Sequence, residues 1–300
     1  MTGQPIRFYN RLTGQVETEQ VYGERFLRWA YETRGGRLTV AALARRALFS
    51  RWYGWRMSRE SSRQRVEPFI AQYGLDDSAW EEPPGGFPDF NAFFYRQLRP
   101  GTRPLAGDAN TIVLPADGRH LVIPELGRET GFFVKGQHFD LAALLDDPAL
   151  TRQFAGGTLV LSRLCPVDYH RFHFAVDGTP GPSVMLPGPL ESVSPIALRR
   201  RLAILWHNRR TRCLIERPGG PPVLQMEIGA TCVGSIRQTY TPGESVKRGR
   251  EKGFFAFGGS ACITLFTPGT IRLADDLLTH SAEGLETYAH MGDILGYWQG

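Results

Sequence analysis

Two apolar, strand-like runs near the end of the sequence are interrupted by Gly258-Gly259-Ser260. The first run ends at Phe257, and the second spans Ala261 to Phe266. Glycine inside a strand weakens it, so a glycine pair marks a bend, a bulge or a close approach of two backbones. One interpretation is therefore a bulge or a hairpin turn that ends in serine. The other is chemical, because the Ser260 hydroxyl adjoins the carbonyl of Gly259, which has no side chain to obstruct an attack.

The overall charge of the chain points to an anionic partner. The chain has 300 residues and a net charge of +5, which comes mainly from arginine because Lys135, Lys247 and Lys252 are its only lysines. A basic surface suits either nucleic acid or anionic lipid. Since the sequence carries no recognised nucleic-acid-binding motif, we expect no nucleic acid as a partner.

The cysteines and the hydropathy of the chain argue against a cysteine-bound metal, a secreted protein and a transmembrane protein. Cys165, Cys213, Cys232 and Cys262 are widely spaced, and no pair has the spacing of metal ligands. We therefore expect reduced thiols and no metal. No secretory signal opens the sequence, and no run of about 18 apolar residues occurs in it. These features predict a cytosolic setting without a transmembrane helix.

Residues 1–105 are predicted to form a helical region. Between Arg25 and Arg65, aromatic and aliphatic residues recur near helical spacing with arginines between them, and Gly35-Gly36 predicts a break into two helices. A basic helix that carries Trp52 and Trp55 fits a helix lying on a membrane surface. It fits equally well an ordinary surface helix packed on its own domain.

Residues 106–300 are predicted to form a β-rich domain. Short apolar or alternating runs, from Ile112–Leu114 to Ala261–Phe266, are separated by Gly, Pro and Asp turns. Two helical interruptions are expected, at Asp140–Leu144 and Ile196–Trp206. We therefore predict an α+β protein, with a helical N-terminal layer followed by an antiparallel catalytic domain of barrel-like or sandwich form.

Three further segments carry candidate chemistry. Asp117 lies in Pro115-Ala116-Asp117-Gly118, which is also a common turn sequence. In the segment from Asp168 to His173, an acid precedes two histidines that are three residues apart. These histidines fit catalysis, a metal site that lacks a completing Cys/His cluster, or structural hydrogen bonding. The third segment, residues 229–236, is rich in small residues and favours a tightly packed strand.

Catalysis by a serine would require these segments to lie close together in the folded protein. A serine is a weak nucleophile unless a base takes its proton, and that base is usually a histidine oriented by an acid. Asp117, His173 and Ser260 supply those three residue types. Their separation in sequence is no objection, because such a triad is defined by its geometry in the folded protein.

Taken in order, these segments resemble the motifs of the phosphatidylserine decarboxylase family. No single motif is specific, but the ordered set is, and it covers about Phe90 to Phe266. The matching segments are Phe90–Phe94 with Arg96, Leu98 and Gly101–Pro104, then Pro115–Gly118, Lys135-Gly136, Asp168–His173, Gly188–Val193, Gly229–Thr231, Val233–Ile236, Lys247–Gly253 and Phe257–Ser260.

The resemblance implies a proenzyme that cleaves itself. Asp117, His173 and Ser260 match the family's acid, base and nucleophile, and Asp117 would hold His173. Ser260 would attack the Gly259 carbonyl, with Gly258 in the same turn. The products would be a β subunit of residues 1–259 and an α subunit of residues 260–300 that begins with a pyruvoyl group.

The same resemblance implies the activity and its setting. The pyruvoyl group derived from Ser260 would replace pyridoxal phosphate, and the enzyme would convert phosphatidylserine into phosphatidylethanolamine and CO2. His170 is the candidate for donating a proton or holding the substrate carboxylate, and Asp168 for orienting a histidine or the turn. We expect the α and β subunits to stay together, two copies to be able to associate, and the protein to lie peripherally on the cytoplasmic face of a bacterial membrane.

Three departures from the family pattern and two alternative functions stay open. Ala261 replaces the usual threonine or serine, the segment Asn208-Arg209-Arg210 replaces Asn-Glu-Arg, and Cys165 replaces a common serine. A pyruvoyl-dependent enzyme of a soluble amino acid would share the same motifs. So would a non-catalytic relative that binds lipid.

Overall fold

The computed structural model describes residues 5–21, 23–39, 52, 54–127, 139–230, 236–256 and 260–299. Several predictions concern residues outside these ranges. They include Gly258 and Gly259 of the proposed cleavage site, Lys135-Gly136, the small-residue segment 231–235 and most of the basic helix expected around residues 40–51.

The helices are short, and several begin at a side chain that caps the first turn. Asp89, Asp140, Asp147 and Ser194 each accept a hydrogen bond from a first-turn backbone N–H. The α helices are α1 (Glu24–Glu32), α2 (Arg34–Thr39), α3 (Val66–Tyr73), α4 (Phe90–Phe94), α5 (Leu141–Leu145), α6 (Pro148–Phe154), α7 (Pro195–Leu198), α8 (Ile204–His207) and α9 (Asp275–Ala282). Short 3-10 turns occupy Glu60–Arg65 and Asp77–Ala79, and residues 54–57 are also helical.

The strands supply most of the ordered structure after residue 105. They are β1 (Arg7–Asn10), β2 (Gln15–Thr18), β3 (Thr111–Val113), β4 (Gly118–Ile123), β5 (Thr158–Leu164), β6 (Arg171–His173), β7 (Thr179–Pro180), β8 (Val184–Leu186), β9 (Arg210–Arg217), β10 (Gly220–Ile228), β11 (Ile236–Gln238), β12 (Glu251–Phe255), β13 (Ser260–Phe266), β14 (Ile271–Leu273), β15 (Glu286–Ala289) and β16 (Ile294–Trp298).

Ten of these strands form one main sheet, in the order β2-β1-β15-β4-β5-β13-β10-β9-β7, with β8 also paired to β9. All its pairings are antiparallel except that of β1 with β15. No pairing within the described ranges joins β2 to β7, so the sheet is open there and no closed barrel is formed. Two three-stranded sheets, β11-β12-β6 and β14-β16-β3, complete the architecture.

The core lies on both faces of the main sheet. On one face, alternate residues of the central strands such as Leu161, Met226 and Ile263 pack against apolar residues of α1, α5, α6, α7 and α8. On the other face, Val160, Val223 and their neighbours pack against the β14-β16-β3 sheet, whereas Leu164 and Cys262 pack against the β11-β12-β6 sheet. The α+β class with mainly antiparallel sheets is thereby confirmed.

The beginning of the chain differs from the prediction. Its first ordered element is the β1–β2 hairpin, and β1 pairs with β15 from the far end of the chain, so these residues join the main sheet. The first helix ends at Thr33 rather than at Gly35-Gly36, which lie inside α2. None of the helices within the described ranges is both long and apolar enough to cross a membrane.

Candidate active site

The predicted motifs converge because the strands that carry them begin or end along the same border of the main sheet. This border, which is a row of strand ends and not an outer strand, is called the edge below. Ser260, the first residue of β13, pairs with Leu164, the last residue of β5. Arg163, the residue before Leu164, pairs with Arg119 of the antiparallel strand β4. Gly118 at the start of β4 therefore lies opposite Leu164. Asp117 before β4 and the Asp168 segment after β5 therefore reach the same edge, and His290 follows β15, whose last residue pairs with Gly118.

Ser260 is fully buried at this edge. Side chains alternate along a strand, so Ser260 lies on the same face of β13 as Cys262. Cys262 packs against Phe172 and Phe255 of the β11-β12-β6 sheet, which therefore covers the face that carries the serine. The Ser260 hydroxyl has no hydrogen-bond partner within the described part of the chain.

His173 is held as a neutral base. Its backbone N–H donates to the Pro115 carbonyl over 2.7 Å, which fixes the end of β6 two residues from Asp117. Its Nδ1 lies 2.9 Å from the Gly249 carbonyl oxygen, and since a carbonyl can only accept, Nδ1 carries the proton. Nε2 is buried and has no hydrogen-bond partner among the residues that the structure describes. Burial lowers the pKa of His173, while the carbonyl bond to Gly249 and the charges of Glu251 and Asp117 oppose this shift.

Asp117 has different partners from those expected. Arg103 donates to both of its oxygens. The Arg103 Nη2 lies 2.6 Å from Oδ2, and its Nε lies 3.1 Å from Oδ1 and from Oδ2. The Met291 N–H donates to Oδ1 over 2.8 Å. The expected hydrogen bond from His173 to Asp117 is not formed, since the His173 Nδ1 is bonded to Gly249 instead. Asp117 acts on His173 through its charge rather than through contact.

His170 lies in an apolar setting next to the same edge. Its ring lies against that of Phe94, at a centroid distance of 3.7 Å and an interplanar angle of 35°. Nδ1 lies 2.8 Å from the backbone carbonyl of Asp168, so Nδ1 carries the proton and Nε2 has the lone pair. Nε2 is buried and has no partner among the described residues. Burial lowers the pKa of His170 to about 3, so the imidazole is neutral at pH 7.

Asp168 connects the site to a buried charge network that the sequence did not predict. Its carboxylate accepts from Arg119 over 2.7 Å and from the Cys165 N–H over 2.6 Å. Burial raises the pKa of Asp168, and the charge of Arg119 opposes that effect. Asp168 therefore orients His170 through its backbone carbonyl, while its side chain fixes the turn after β5.

The rest of this network lies deeper in the main sheet. Arg163 binds Glu19 and Glu286, with nitrogen to oxygen distances of 2.5 Å and 2.6 Å, and all three side chains are buried. Arg119 also lies 3.5 Å from Glu19. The only sequence signal for this network was the presence of arginines inside strands that are otherwise apolar.

Three buried polar atoms at this edge have no hydrogen-bond partner among the described residues. Buried side-chain nitrogen and oxygen atoms are normally hydrogen-bonded, but the Nε2 atoms of His170 and His173 and the hydroxyl of Ser260 are not bonded within the described ranges. Two lone-pair nitrogens and a hydroxyl fit a reaction that moves protons at a serine. A pyruvoyl group derived from Ser260 fits the same edge, because it would lie where Ser260 is buried and its chemistry needs basic groups such as these two nitrogens. No group of three or more potential metal-binding side chains occurs in the described ranges.

Together, the strand ends at this edge, the buried serine and the neutral histidines define a site for serine-dependent proton-transfer chemistry. The model of the family described as phosphatidylserine decarboxylase matches residues 90–296. The phosphatidylserine decarboxylase proenzyme of Chlamydia muridarum is 42% identical over 296 residues, covering 99% of this chain and 98% of that protein. The proenzyme of Fusobacterium nucleatum is 36% identical, with 99% of each chain covered. This chain belongs to the phosphatidylserine decarboxylase family.

A comparison with solved structures adds no functional argument. Glucose permease IIA from Mycoplasma capricolum aligns with 62% of this chain and 93% of its own length, at 12% identity and a TM-score of 0.30.

Proposed function

We propose that this chain is a phosphatidylserine decarboxylase proenzyme that cleaves itself between Gly259 and Ser260. His173 takes the Ser260 proton at Nε2, and the serine oxygen attacks the Gly259 carbonyl to form an ester. The Gly259–Ser260 peptide bond breaks as the ester forms, and the proton returns to the Ser260 nitrogen. Elimination then releases residues 1–259 with a free Gly259 carboxylate, and hydrolysis of the dehydrated residue 260 releases ammonia and leaves a pyruvoyl group at the start of residues 260–300. The observation that carries the proposal is that the Ser260 hydroxyl and the His173 Nε2, at the same edge of the main sheet, are both buried and have no hydrogen-bond partner among the described residues.

Asp117 supports this step from a short distance. The Gly249 carbonyl fixes the tautomer of His173 and leaves Nε2 as the basic atom. The negative charge of Asp117 stabilises the imidazolium that forms when Ser260 loses its proton. Arg103 and the Met291 N–H hold that carboxylate in place.

His170 is assigned to the decarboxylation itself. Once formed, the pyruvoyl group supplies an electron sink for the electron pair that CO2 leaves behind. The neutral Nε2 of His170 accepts a proton from the substrate ammonium, which must be deprotonated before the amine can react. The same nitrogen then returns that proton to the former α-carbon after CO2 has left. The aromatic ring of Phe94 and the Asp168 carbonyl hold the imidazole in position.

The two subunits are interleaved, so we expect them to remain associated after cleavage. The α subunit supplies β13, which lies between β5 and β10, and β15, which lies between β1 and β4. Both strands therefore pair on either side with strands of the β subunit. The α subunit also supplies β16, which pairs with β3 of the β subunit. Separation would therefore break five strand pairings and expose the core.

Intact mass spectrometry of the denatured protein tests self-cleavage. The parent chain should give two masses, split before residue 260, with the α subunit blocked at its N-terminus by the pyruvoyl group. Ser260→Ala should give one uncut chain of 300 residues, and Ser281→Ala, which alters a serine outside this edge, should be cut like the parent. Cleavage at Gly259 in the Ser260→Ala variant would overturn the mechanism.

Release of CO2 from phosphatidylserine in mixed micelles, compared with release from free serine, tests the substrate. The proposal requires turnover of the lipid and little or none of free serine. Preferential turnover of free serine would instead support an enzyme of a soluble amino acid. Complete cleavage without any turnover would support a non-catalytic lipid-binding relative.

We further propose that the N-terminal helices hold the protein on an anionic membrane. Phe26, Trp29, Trp52 and Trp55 are among the most exposed large apolar side chains of the described ranges. Arg56 and Arg59 lie over the rings of Trp52 and Trp55, at 5.7 Å and 4.4 Å from the ring centroids. Exposed tryptophans beside arginines suit the interface between lipid headgroups and acyl chains.

Flotation with vesicles of phosphatidylglycerol and phosphatidylcholine tests this attachment. The variant Trp52→Ala/Trp55→Ala should bind such vesicles at least several-fold more weakly than the parent. Met185→Ala on β8, which removes an equally exposed apolar side chain elsewhere, should bind like the parent. Equal binding of both variants would exclude the two tryptophans as membrane contacts.

A further inference from the structure

A fully buried ion pair lies beside the candidate active site and has no part in the chemistry described so far. The Lys252 ammonium donates to Glu227 over 2.7 Å, and the two side chains are 0% and 1% exposed. Thr211 and Gln238 donate to the other Glu227 oxygen over 2.5 Å and 2.8 Å, and Lys252 also donates to Gln238 over 3.1 Å. Every charged atom of the pair is therefore hydrogen-bonded.

The pair bridges the two sheets that carry the proposed nucleophile and base. Glu227 in β10 is directly opposite Cys262 in β13, so its side chain shares the sheet face of Cys262 and Ser260. Lys252 lies in β12, which pairs with β6, where Glu251 is opposite His173. The ion pair therefore links β10, which pairs with the Ser260 strand β13, to β12, which pairs with the His173 strand β6.

A bulge in β12 directs the lysine into this position. The register between β12 and β6 shifts between the pairs Glu251–His173 and Gly253–Phe172, so Lys252 is the extra residue. A bulge turns a side chain away from the direction that regular alternation would give it. Lys252 consequently points between the sheets, where its ammonium also lies 5.5 Å from the Phe172 ring centroid.

Stability alone does not account for such a pair. The desolvation of two charges costs about as much as their attraction returns, and apolar residues of similar volume often stabilise a core at least as well. An ion pair adds a defined relative orientation of the two segments that carry it, because its hydrogen bonds have preferred geometry. The apolar contacts among Leu164, Phe172, Phe255 and Cys262 do not by themselves specify how one sheet lies on the other. The ion pair supplies that orientation together with a hydrogen bond of 3.1 Å from Gln225 in β10 to the His173 carbonyl.

We propose that the Glu227–Lys252 pair positions His173 relative to Ser260 for self-cleavage. It does so by fixing the β11-β12-β6 sheet against the edge of the main sheet. The hydrogen bonds of Glu227 and Lys252 within the described ranges go to each other, Thr211 and Gln238 and not to Ser260 or His173, so we assign both as positioning residues. This inference rests on the proposed self-cleavage.

The test separates positioning from stability with a pair of matched variants. Glu227→Leu/Lys252→Met removes both charges and keeps an apolar volume. Arg11→Gln instead breaks the ion pair between Arg11, which follows β1, and Asp276 in α9, and neither residue belongs to β6, β10, β12 or β13. Thermal stability is measured with Ser260→Ala added to each variant, so that every chain is uncut. The rate of self-cleavage is measured without that substitution, by intact mass at a temperature where each chain is folded.

The double variant should keep a melting temperature close to the parent's while its cleavage slows about 10- to 100-fold, as a misplacement near 1 Å would predict. Arg11→Gln should lose stability and cleave at the parent rate. Because the pair acts on geometry, the pH at which cleavage falls to half should not change. Cleavage of the double variant at the parent rate would overturn the proposal.

Glu227→Asp provides a second route should the double variant not fold. It keeps both charges and shortens one side chain by a single methylene, so the pair is retained but displaced. Cleavage slowed at least several-fold in the folded variant supports positioning, and unchanged cleavage contradicts it. Failure of the proposed function is distinguishable, because then the parent would not be cut or Ser260→Ala would be.

Discussion

Two histidines three residues apart have different surroundings and, on our assignment, different reactions. His173 is bonded through Nδ1 to the Gly249 carbonyl and lies near the charge of Asp117. His170 is bonded to the Asp168 carbonyl and lies against Phe94. Both imidazoles are buried and neutral, but only His173 has a nearby carboxylate to stabilise a positive charge against burial. That difference suits His173 to holding the proton taken from a serine. An imidazolium at His170 would give up its proton readily, which suits His170 to protonating the substrate after CO2 has left.

Replacing each histidine with glutamine should therefore separate cleavage from turnover. His170→Gln should still be cut at Gly259, but its decarboxylation rate should fall about 10²- to 10⁴-fold, the usual contribution of a positioned acid or base. His173→Gln should remain uncut. Intact mass and CO2 release measure the two outcomes. If His170→Gln also remained uncut, the division of roles would be wrong.

The pH dependence of cleavage follows from the lowered pKa of His173. Only the neutral imidazole can accept the Ser260 proton, and burial keeps it neutral to a pH below its ordinary value near 6.5. The cleavage rate should therefore be level near pH 7 and above, and should fall only on acidification below pH 6.5. A time course of intact mass across this range checks the prediction. A rate that already halves above pH 7 would contradict the assignment of His173.

At the scale of the secondary-structure elements, a buried charge network joins the segment after β2 and strand β15 to the central strand β5. Arg163 in β5 binds Glu19, which follows β2, and Glu286 at the start of β15. Glu286 will belong to the α subunit after cleavage and Glu19 to the β subunit. The attraction of Arg163 and Arg119 outweighs burial and lowers the pKa of Glu19 to about 2. This contact therefore helps hold the two subunits together.

Arg163→Met should cost about 3–5 kcal/mol of unfolding free energy, because it leaves two buried carboxylates without their main partner. Urea unfolding in the Ser260→Ala background measures this cost. Lys247→Met removes a lysine that is 84% exposed and paired with Asp177 on the surface, so it should cost less than about 1 kcal/mol. Equal costs for the two variants would show that the buried network does not stabilise the fold.

At the scale of the whole molecule, buried neutral histidines make the fold sensitive to acid. Burial lowers the pKa values of His120 and His170 to about 3, against 6.5 in the unfolded chain. The unfolded chain therefore binds protons that the folded chain does not as the pH falls below 6.5. Stability is fully present above pH 6.5 and is lost progressively between pH 6.5 and 3.

From pH 7 to pH 5, these two histidines should together lower the unfolding free energy by about 4 kcal/mol. Urea unfolding of the Ser260→Ala chain at several pH values measures the slope. His120→Gln should reduce that slope by about one proton, because it removes one of the groups that titrate only on unfolding. An unchanged slope in His120→Gln would mean that His120 is not buried in its neutral form.

Local pattern was sufficient for much of the β-rich domain. The runs at His120–Ile123 and Ala261–Phe266 lie in β4 and β13, because alternation and turn residues act over only a few positions. Other elements carried weaker signals. The hairpin β1–β2 and the arginine-rich strand β9 were not predicted. β1 pairs with β15 from far along the chain, and the three arginines of β9 interrupt its apolar pattern.

The sequence by itself determined which reactive groups are present and in what order. Asp117, His170, His173 and Ser260 could be selected because residue type and local motif suffice to suggest a nucleophile, bases and an acid. The tertiary structure alone decided their partners: Arg103 for Asp117, the Gly249 carbonyl for His173, and the placement of Lys252 against Glu227. These contacts depend on strand order and on one bulge, and neither is encoded in the spacing of residues along the chain. Burial, which lowers the pKa values of the histidines, likewise arises only when the sheets pack.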